Sequence, residues 1–115
     1  MIRKKADRPY VEKQSHGGDG QIAITAILQG EKELNGKGNF FSVITIPPGC
    51  SVGWHVHKGE EEAMLVVAGY GQSSDGRQEE LFEPGDVLLV PDGEGHSLHN
   101  TGTEDIQLVS LVYYL

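Results

Sequence analysis

A single cysteine, Cys50, stands in the 115 residues, so no intrachain disulfide can form. The fold must hold without a covalent staple, and a reducing cytoplasm suits it. The thiol reads as a small buried residue beside a turn. No apolar run approaches the roughly 20 residues that a membrane-crossing helix requires, and the basic start is not followed by the apolar block of a secretion signal. Basic side chains are scarce, nine Lys and Arg against seventeen Asp and Glu, for a formal charge of −8. Nucleic acid and anionic membrane surfaces are thereby excluded as partners, because both demand a positive footprint. Arg3, Lys4, Lys5, Arg8 and Lys13 all lie in the first thirteen positions, so the remaining body is more acidic still. Internal repeats, low-complexity tracts and a 3.6-residue apolar period are also missing. A soluble, cytoplasmic chain with one core is expected, for which a 37% apolar content is sufficient.

What is present is a succession of short apolar runs with turn chemistry between them. Residues 1–21 are polar and end in Ser15-His16-Gly17-Gly18-Asp19-Gly20; they read as an extension leading into one domain, 22–115. His16 reads as a solvated loop histidine rather than an extra ligand. Ile22 to Leu28 alternates β-branched residues and is expected to be a strand. Gln29 to Asn39 is a polar loop or hairpin connection, and Phe40 to Ile46 is a strand stopped by Pro47-Pro48-Gly49. Tyr70 to Arg77 is rich in Gly, Ser and Asp, and the next strand is expected at Gln78 to Glu83. Val87 to Val90 reads as a short buried strand, closed by a turn at Pro91 to Gly95. A last strand runs from Ile106 to Leu115. Such spacing predicts an all-β sandwich or barrel.

One stretch carries chemistry. His55 and His57 are one residue apart, so a strand projects both imidazoles to one face. Glu62 opens the apolar run Ala63 to Ala68, the next strand, and returns a carboxylate to the same pocket. Two histidines and a carboxylate point to a metal site. His96 follows the turn at 91–95 and can reach the same mouth, giving three imidazole nitrogens and one anionic oxygen. His99, three residues on, is turned away by alternation towards the surface or an interface. Trp54 also faces away from the metal side.

The spacing Gly49, five residues, His55-x-His57, four residues, Glu62, six residues, Gly69 resembles the first motif of the cupins. Gly85, five residues, Pro91-x-Gly93, two residues, His96, three residues, Asn100 is similar to the second. The resemblance implies a small jelly-roll barrel, the double-stranded β-helix, whose mouth holds a divalent metal through His55, His57, Glu62 and His96. It also implies structural roles for Gly69, Gly85, Pro91, Gly93 and Asn100 in the turns that aim these ligands. Four protein ligands on an octahedral ion leave two open positions, as a catalytic site requires. The mixed donors suit Mn, Fe, Ni, Co or Zn.

If Glu62 faces inward, so do Met64 and Val66, and His96 brings Leu98. From the strand at 40–46, either Phe41 with Val43 or Phe40 with Ser42 faces in; Phe41 is taken as the pocket candidate, beside Met64, Val66 and Leu98. Such walls suit a small molecule held through metal-chelating oxygens. The resemblance includes oxalate decarboxylases and oxalate oxidases. A dianion is generally clamped by a guanidinium, however, and the only arginine beyond the N-terminal extension is Arg77, in a loop. Oxalate is thus one candidate among several. Glu60, Glu61 and Glu94 are candidate general acids or bases, with a solvated acidic turn the favoured reading of the first two, and no catalytic residue is singled out. The expected function is a metal-dependent dioxygenase or decarboxylase of a small oxygenated organic acid or carbonyl compound. A non-catalytic binding or sensing cupin and a sugar isomerase or epimerase are the alternatives; no DNA-binding segment accompanies the barrel to favour a transcriptional sensor. Open sheet edges, and a basic extension that can lie on a neighbour's acidic barrel, predict a homodimer.

Overall fold

A computed structural model of the chain describes residues 1–115 as ten strands. In order they are β1 (Tyr10–Lys13), β2 (Ile22–Leu28), β3 (Gly38–Ile46), β4 (Ser51–Val56), β5 (Glu60–Ala68), β6 (Gly71–Ser74), β7 (Glu79–Phe82), β8 (Val87–Val90), β9 (Gly95–His99) and β10 (Ile106–Tyr114). A 3₁₀ turn at Lys5–Asp7 and one helical turn, α1 (Gly30–Glu33), are the only helical segments. No helix is long and apolar enough to cross a membrane.

Alternation along the strands builds the interior. β3 buries Ser42, Ile44 and Ile46; β5 buries Glu62, Met64 and Val66; β10 buries Ile106, Leu108, Ser110 and Val112. The three pair antiparallel with β10 between the others, Val109 standing opposite Val43 on one side and Leu65 on the other. One six-stranded sheet runs β1-β2-β3-β10-β5-β8 and a four-stranded sheet runs β4-β9-β6-β7. Eight core side chains come from the first sheet, Ile46, Met64, Ile106 and Leu108 among them; Val52, Phe82 and Leu98 come from the second. Full burial of each such side chain contributes about 1.5–3 kcal/mol. The result is the jelly-roll, double-stranded β-helix that the resemblance implies, and an all-β barrel as the strand spacing predicts.

Three local expectations differ. Part of the stretch read as an extension is the edge strand β1, laid antiparallel on β2 of the same chain, with Lys13 opposite Ile22. Its two arginines also find partners at home: Arg3 pairs with Glu33 at 2.7 Å, and the Arg8 guanidinium donates to the Ala26 and Thr25 carbonyls. The second difference is β6, a strand of Gly, Gln and Ser with no intrinsic strand signal. It forms because β7 and β9 offer ladders on both sides, and because a Cβ at Gly71 would meet Phe82 and Ile106 at 2.5 Å. Third, Val87–Val90 is buried on one face only. β8 is the edge of the larger sheet, so Val90 is enclosed while Val87 is 70% and Leu89 is 56% exposed.

Two turn glycines differ in what they tolerate. Gly69 has φ +81°, and a Cβ there would lie 2.4 Å from the Asp105 carbonyl oxygen and 2.7 Å from Ile106 Cα. Gly93 has φ +84° but open space around it. Gly93→Ala should therefore cost only the left-handed backbone penalty, about 1–2 kcal/mol. Gly69→Ala adds backbone overpacking and should cost about 2–5 kcal/mol. Urea unfolding of the two variants at neutral pH checks the ranking, and equal losses would contradict it.

Candidate metal centre

β4 and β9 deliver two of the four expected ligands side by side, His55 standing opposite His96 across a pairing that is irregular between Val52 and His55. His57 lies just past the end of β4 and is pinned by the 91–95 turn. Its N–H donates to the Glu94 carbonyl (3.0 Å) and its carbonyl accepts from Gly93 N–H (2.7 Å). Asp92 Oδ1 accepts the Gly59 N–H at 2.7 Å, so the two motif turns are joined to one another. Glu62 comes inward from β5, where Oε2 accepts the Ser110 hydroxyl at 2.6 Å.

The four side chains converge. One ligand atom from each of His55, His57, Glu62 and His96 lies within 4.8 Å of the others. His57 Nε2 is 3.1 Å and His96 Nε2 is 2.9 Å from Glu62 Oε1, and the Nε2 atoms of His55 and His96 are 3.0 Å apart. The remaining ring nitrogens orient the ligands. His55 Nδ1 donates to the Gly53 carbonyl at 2.9 Å, and His57 Nδ1 donates to Glu60 Oε2 at 2.6 Å. A carbonyl has no proton to give, so the Nδ1–H tautomer of His55 is favoured and its Nε2 lone pair points into the centre. Partners of this kind on the far nitrogen are what metal-ligating histidines use.

The electrostatics agree with a cation-shaped site. Burial, reinforced by the neighbouring histidines, pushes His55 down to about 4. The hydrogen bond to Glu62 and a second to Glu60 raise His57, against the pull of burial. Burial works to raise Glu62, yet the hydrogen bonds from His57, His96 and Ser110 hold it well below the usual carboxylate range. Two carboxylates beside His57 favour a proton there, which a divalent ion would have to displace, because metal binding releases ligand protons. His96 Nδ1 is buried without a partner. The donor set fits a divalent ion, with imidazole and carboxylate ligands that suit several transition metals alike.

A cavity of about 280 Å³ opens above the four side chains. Phe40, not Phe41, lines it: Phe40 pairs with Val112 and Phe41 with Leu111, which places Phe41 on the outer face. Leu98 lines the cavity as expected, but Met64 and Val66, although they face inward, are sealed in the core and absent from the wall. Of the candidate acids and bases only Glu60 borders this space. Glu61 accepts from Tyr113 Oη and Asp92 N–H, and Glu94 borders a separate depression of about 460 Å³. His99 does not reach the cavity, and half-exposed Trp54 lies over Gly76 and Gly95.

Several wall residues escape sequence reasoning, Lys13 among them, and His16, exposed and outside the ligand group as expected, also borders the cavity. The His16 ring stacks on His55 with centroids 3.8 Å apart and planes inclined by 12°. The one signal for this contact was the Gly17-Gly18 pair, since a Cβ on Gly18 would lie 2.3 Å from the Ser51 carbonyl oxygen.

Residues 42–112 match the family model of the cupin domain. The chain belongs to the cupin family. An "Oxalate-binding protein" of Thermotoga maritima is 30% identical over 115 residues, 100% of this cupin and 94% of that protein. The crystal structure of a "predicted oxalate decarboxylase" from the same organism superposes with a TM-score of 0.93 at 28% identity, each chain covered in full. A cupin 2 conserved barrel domain protein from Rhodopseudomonas palustris shares the fold, with a TM-score of 0.74 at 14% identity over 92% of this chain and 71% of that one.

His55 and His57 should titrate apart in the metal-stripped cupin. His55 should remain neutral until about pH 4, and because its folded pKa lies below the ordinary 6.5, acidification through that interval favours unfolding. His57 acts in the opposite sense: its contribution is complete below the ordinary value and is lost as pH rises through its raised folded pKa. Site-resolved NMR titration of the imidazole signals checks both, and coincident midpoints would contradict the assignment.

Proposed function

We propose that this cupin is a metal-dependent enzyme, a dioxygenase or decarboxylase, that acts on a small oxygenated organic acid or carbonyl compound. His55, His57, Glu62 and His96 are its metal ligands, for Mn, Fe, Ni, Co or Zn. The observation that carries this reading is the convergence of one ligand atom from each of three histidines and a carboxylate within 4.8 Å at the base of a cavity. Bound with open positions, such an ion supplies Lewis acidity towards a substrate oxygen and, for Mn or Fe, redox capacity.

The chain's own groups do the rest. Ile24, Phe40, Ile44 and Val112 exclude water from the wall and strengthen the electrostatics at its base. Glu60 holds the proton on His57 Nδ1 and faces the cavity, which makes it the general acid or base of this reading. The similarity to an oxalate-binding protein and to the structure of a predicted oxalate decarboxylase supports a small dicarboxylic acid as substrate. The former name also favours a second reading, a cupin that binds such an acid without turning it over.

Elemental analysis of the purified protein, then oxygen uptake and CO₂ release by the Mn- and Fe-reconstituted forms over small organic acids, separates the two. Turnover is expected; acid binding with no turnover on any metal selects the second. Glu60→Gln should weaken metal affinity about 10- to 100-fold by releasing His57 Nδ1, measured by competition against a chelator.

The reading includes a cytoplasmic homodimer. Unpaired Cys50 suits a reducing compartment. On the outer face of the larger sheet, Val43, Val109, Leu65 and Val87 form one row across four strands, and Phe41, Leu111, Ala63 and Leu89 form the next. Neither row contains a charge, and a twofold axis would set these uncharged rows of one acidic chain against the same rows of another. Analytical ultracentrifugation should give about twice the 12.5 kDa chain mass. Leu65→Lys should reduce it to a monomer with metal uptake intact, whereas a monomeric wild type refutes the dimer.

A further inference from the structure

The N-terminal loop is built across the mouth of the cavity. Ser15 bridges Val52 in parallel, its carbonyl accepting Gly53 N–H at 3.0 Å and Gly18 N–H at 2.9 Å. Asp19 N–H donates to Ser51 Oγ at 2.7 Å, its carbonyl accepts Ser51 N–H at 3.0 Å, and Gln14 Nε2 donates to the Gly18 carbonyl at 3.0 Å. At Gly53 a Cβ would lie 2.1 Å from the His16 carbonyl oxygen. Pressed so closely, His16 adopts φ +50°, a conformation that a residue with a side chain keeps only when its surroundings enforce it. The product of that enforcement is an imidazole stacked on His55. Parallel stacking keeps its ring nitrogens out of the four-residue ligand group.

Lys13 stands beside this loop and is the only lysine or arginine on the cavity wall. It forms no salt bridge, in contrast to Arg3 with Glu33. The acidic groups of the wall are already engaged: Glu62 with His57, His96 and Ser110, and Glu60 with His57 and Asn39. In a chain of net charge −8, an uncommitted cation at the rim of a cavity lacks a local partner. A ligand can supply one.

We propose that Lys13 and His16 form an anion subsite that takes the second carboxylate of a small dicarboxylic acid whose first carboxylate faces the His/Glu centre. The proposal rests on the metal-centre reading given above and adds what selects the substrate. A cavity of about 280 Å³ lies at the lower edge of ordinary ligand pockets, so the acid is short. An ammonium is a mobile point charge rather than a planar fork, so the subsite recognises charge more than the exact separation of the two carboxylates.

Oxalate, malonate and acetate are titrated into the Mn-loaded full chain by calorimetry, with manganese content measured for every variant. Lys13→Gln should weaken oxalate and malonate about tenfold, the value of one charge-assisted hydrogen bond, and change acetate by less than about twofold. Lys13→Arg should restore dianion binding. His16→Phe retains a ring against His55 while removing its donors, and should lower dianion affinity with manganese content unchanged. A purely structural role for the loop would move dianions and acetate together. Oxalate binding indifferent to Lys13→Gln, or manganese lost from His16→Phe, overturns the subsite and leaves the metal reading intact. A wild type that takes up no metal removes the metal reading and the subsite with it.

Discussion

The constraint on which the structure depends is a carboxylate enclosed in a β-sandwich. Glu62 is 5% exposed, and a buried charge is tolerated only when its oxygens are occupied and an opposite charge is near. This explains Ser110, a fully buried serine on a strand whose other inward residues are Ile106, Leu108 and Val112. Its hydroxyl satisfies Oε2 and leaves Oε1 to the two imidazoles. The strand positions on one side of Met64 are thereby committed to apolar packing, and those on the other side to polar chemistry. Stability and function divide the same three strands between them.

The precision of the polar end comes from the way the motif turns hold each other. His57 has no strand partner of its own, yet both of its backbone groups bond to the 91–95 turn, which also launches His96. Moving either turn would shift two ligands together. Gly93 serves this arrangement by reaching the left-handed region without a side-chain penalty. The Nδ1 contacts of His55 and His57 then set ring rotation, so the chain fixes both the position and the orientation of the two imidazoles through its own hydrogen bonds.

Much of this was legible from residue order, and what was not has identifiable causes. His55-x-His57 has strand spacing and Glu62 opens an apolar run, so a shared pocket was legible. Strands place His55 and Glu62, but His57, beyond the end of β4, is placed by the 91–95 turn. Alternation alone left the face of β3 open between Phe40 and Phe41, because a one-residue change of register exchanges the two faces. Only pairing with β10 decides it. Val87 to Val90 is apolar throughout, and nothing in four residues tells that one face has no neighbour. Gly71 to Ser74 lacks strand formers and becomes a strand through the ladders on either side. Lys13 and His16 sit in a polar, glycine-rich stretch, and their approach to the cavity depends on contacts with β4 about forty residues away in sequence.

That last failure divides the site into two kinds of information. The matched family region, 42–112, contains His55, His57, Glu62 and His96, together with the turns that aim them. Lys13, Ser15, His16 and Asn39, polar residues of the cavity wall, lie before it. Family membership therefore speaks to the base of the cavity, where a metal would sit, and is silent about much of the rim that a substrate meets first. In this chain the N-terminal strand and loop bring an unpaired ammonium and a stacked imidazole to an otherwise largely apolar mouth. On the proposed reading, selectivity belongs to a polar, glycine-rich segment next to β1, held in place by backbone contacts rather than by intrinsic propensity.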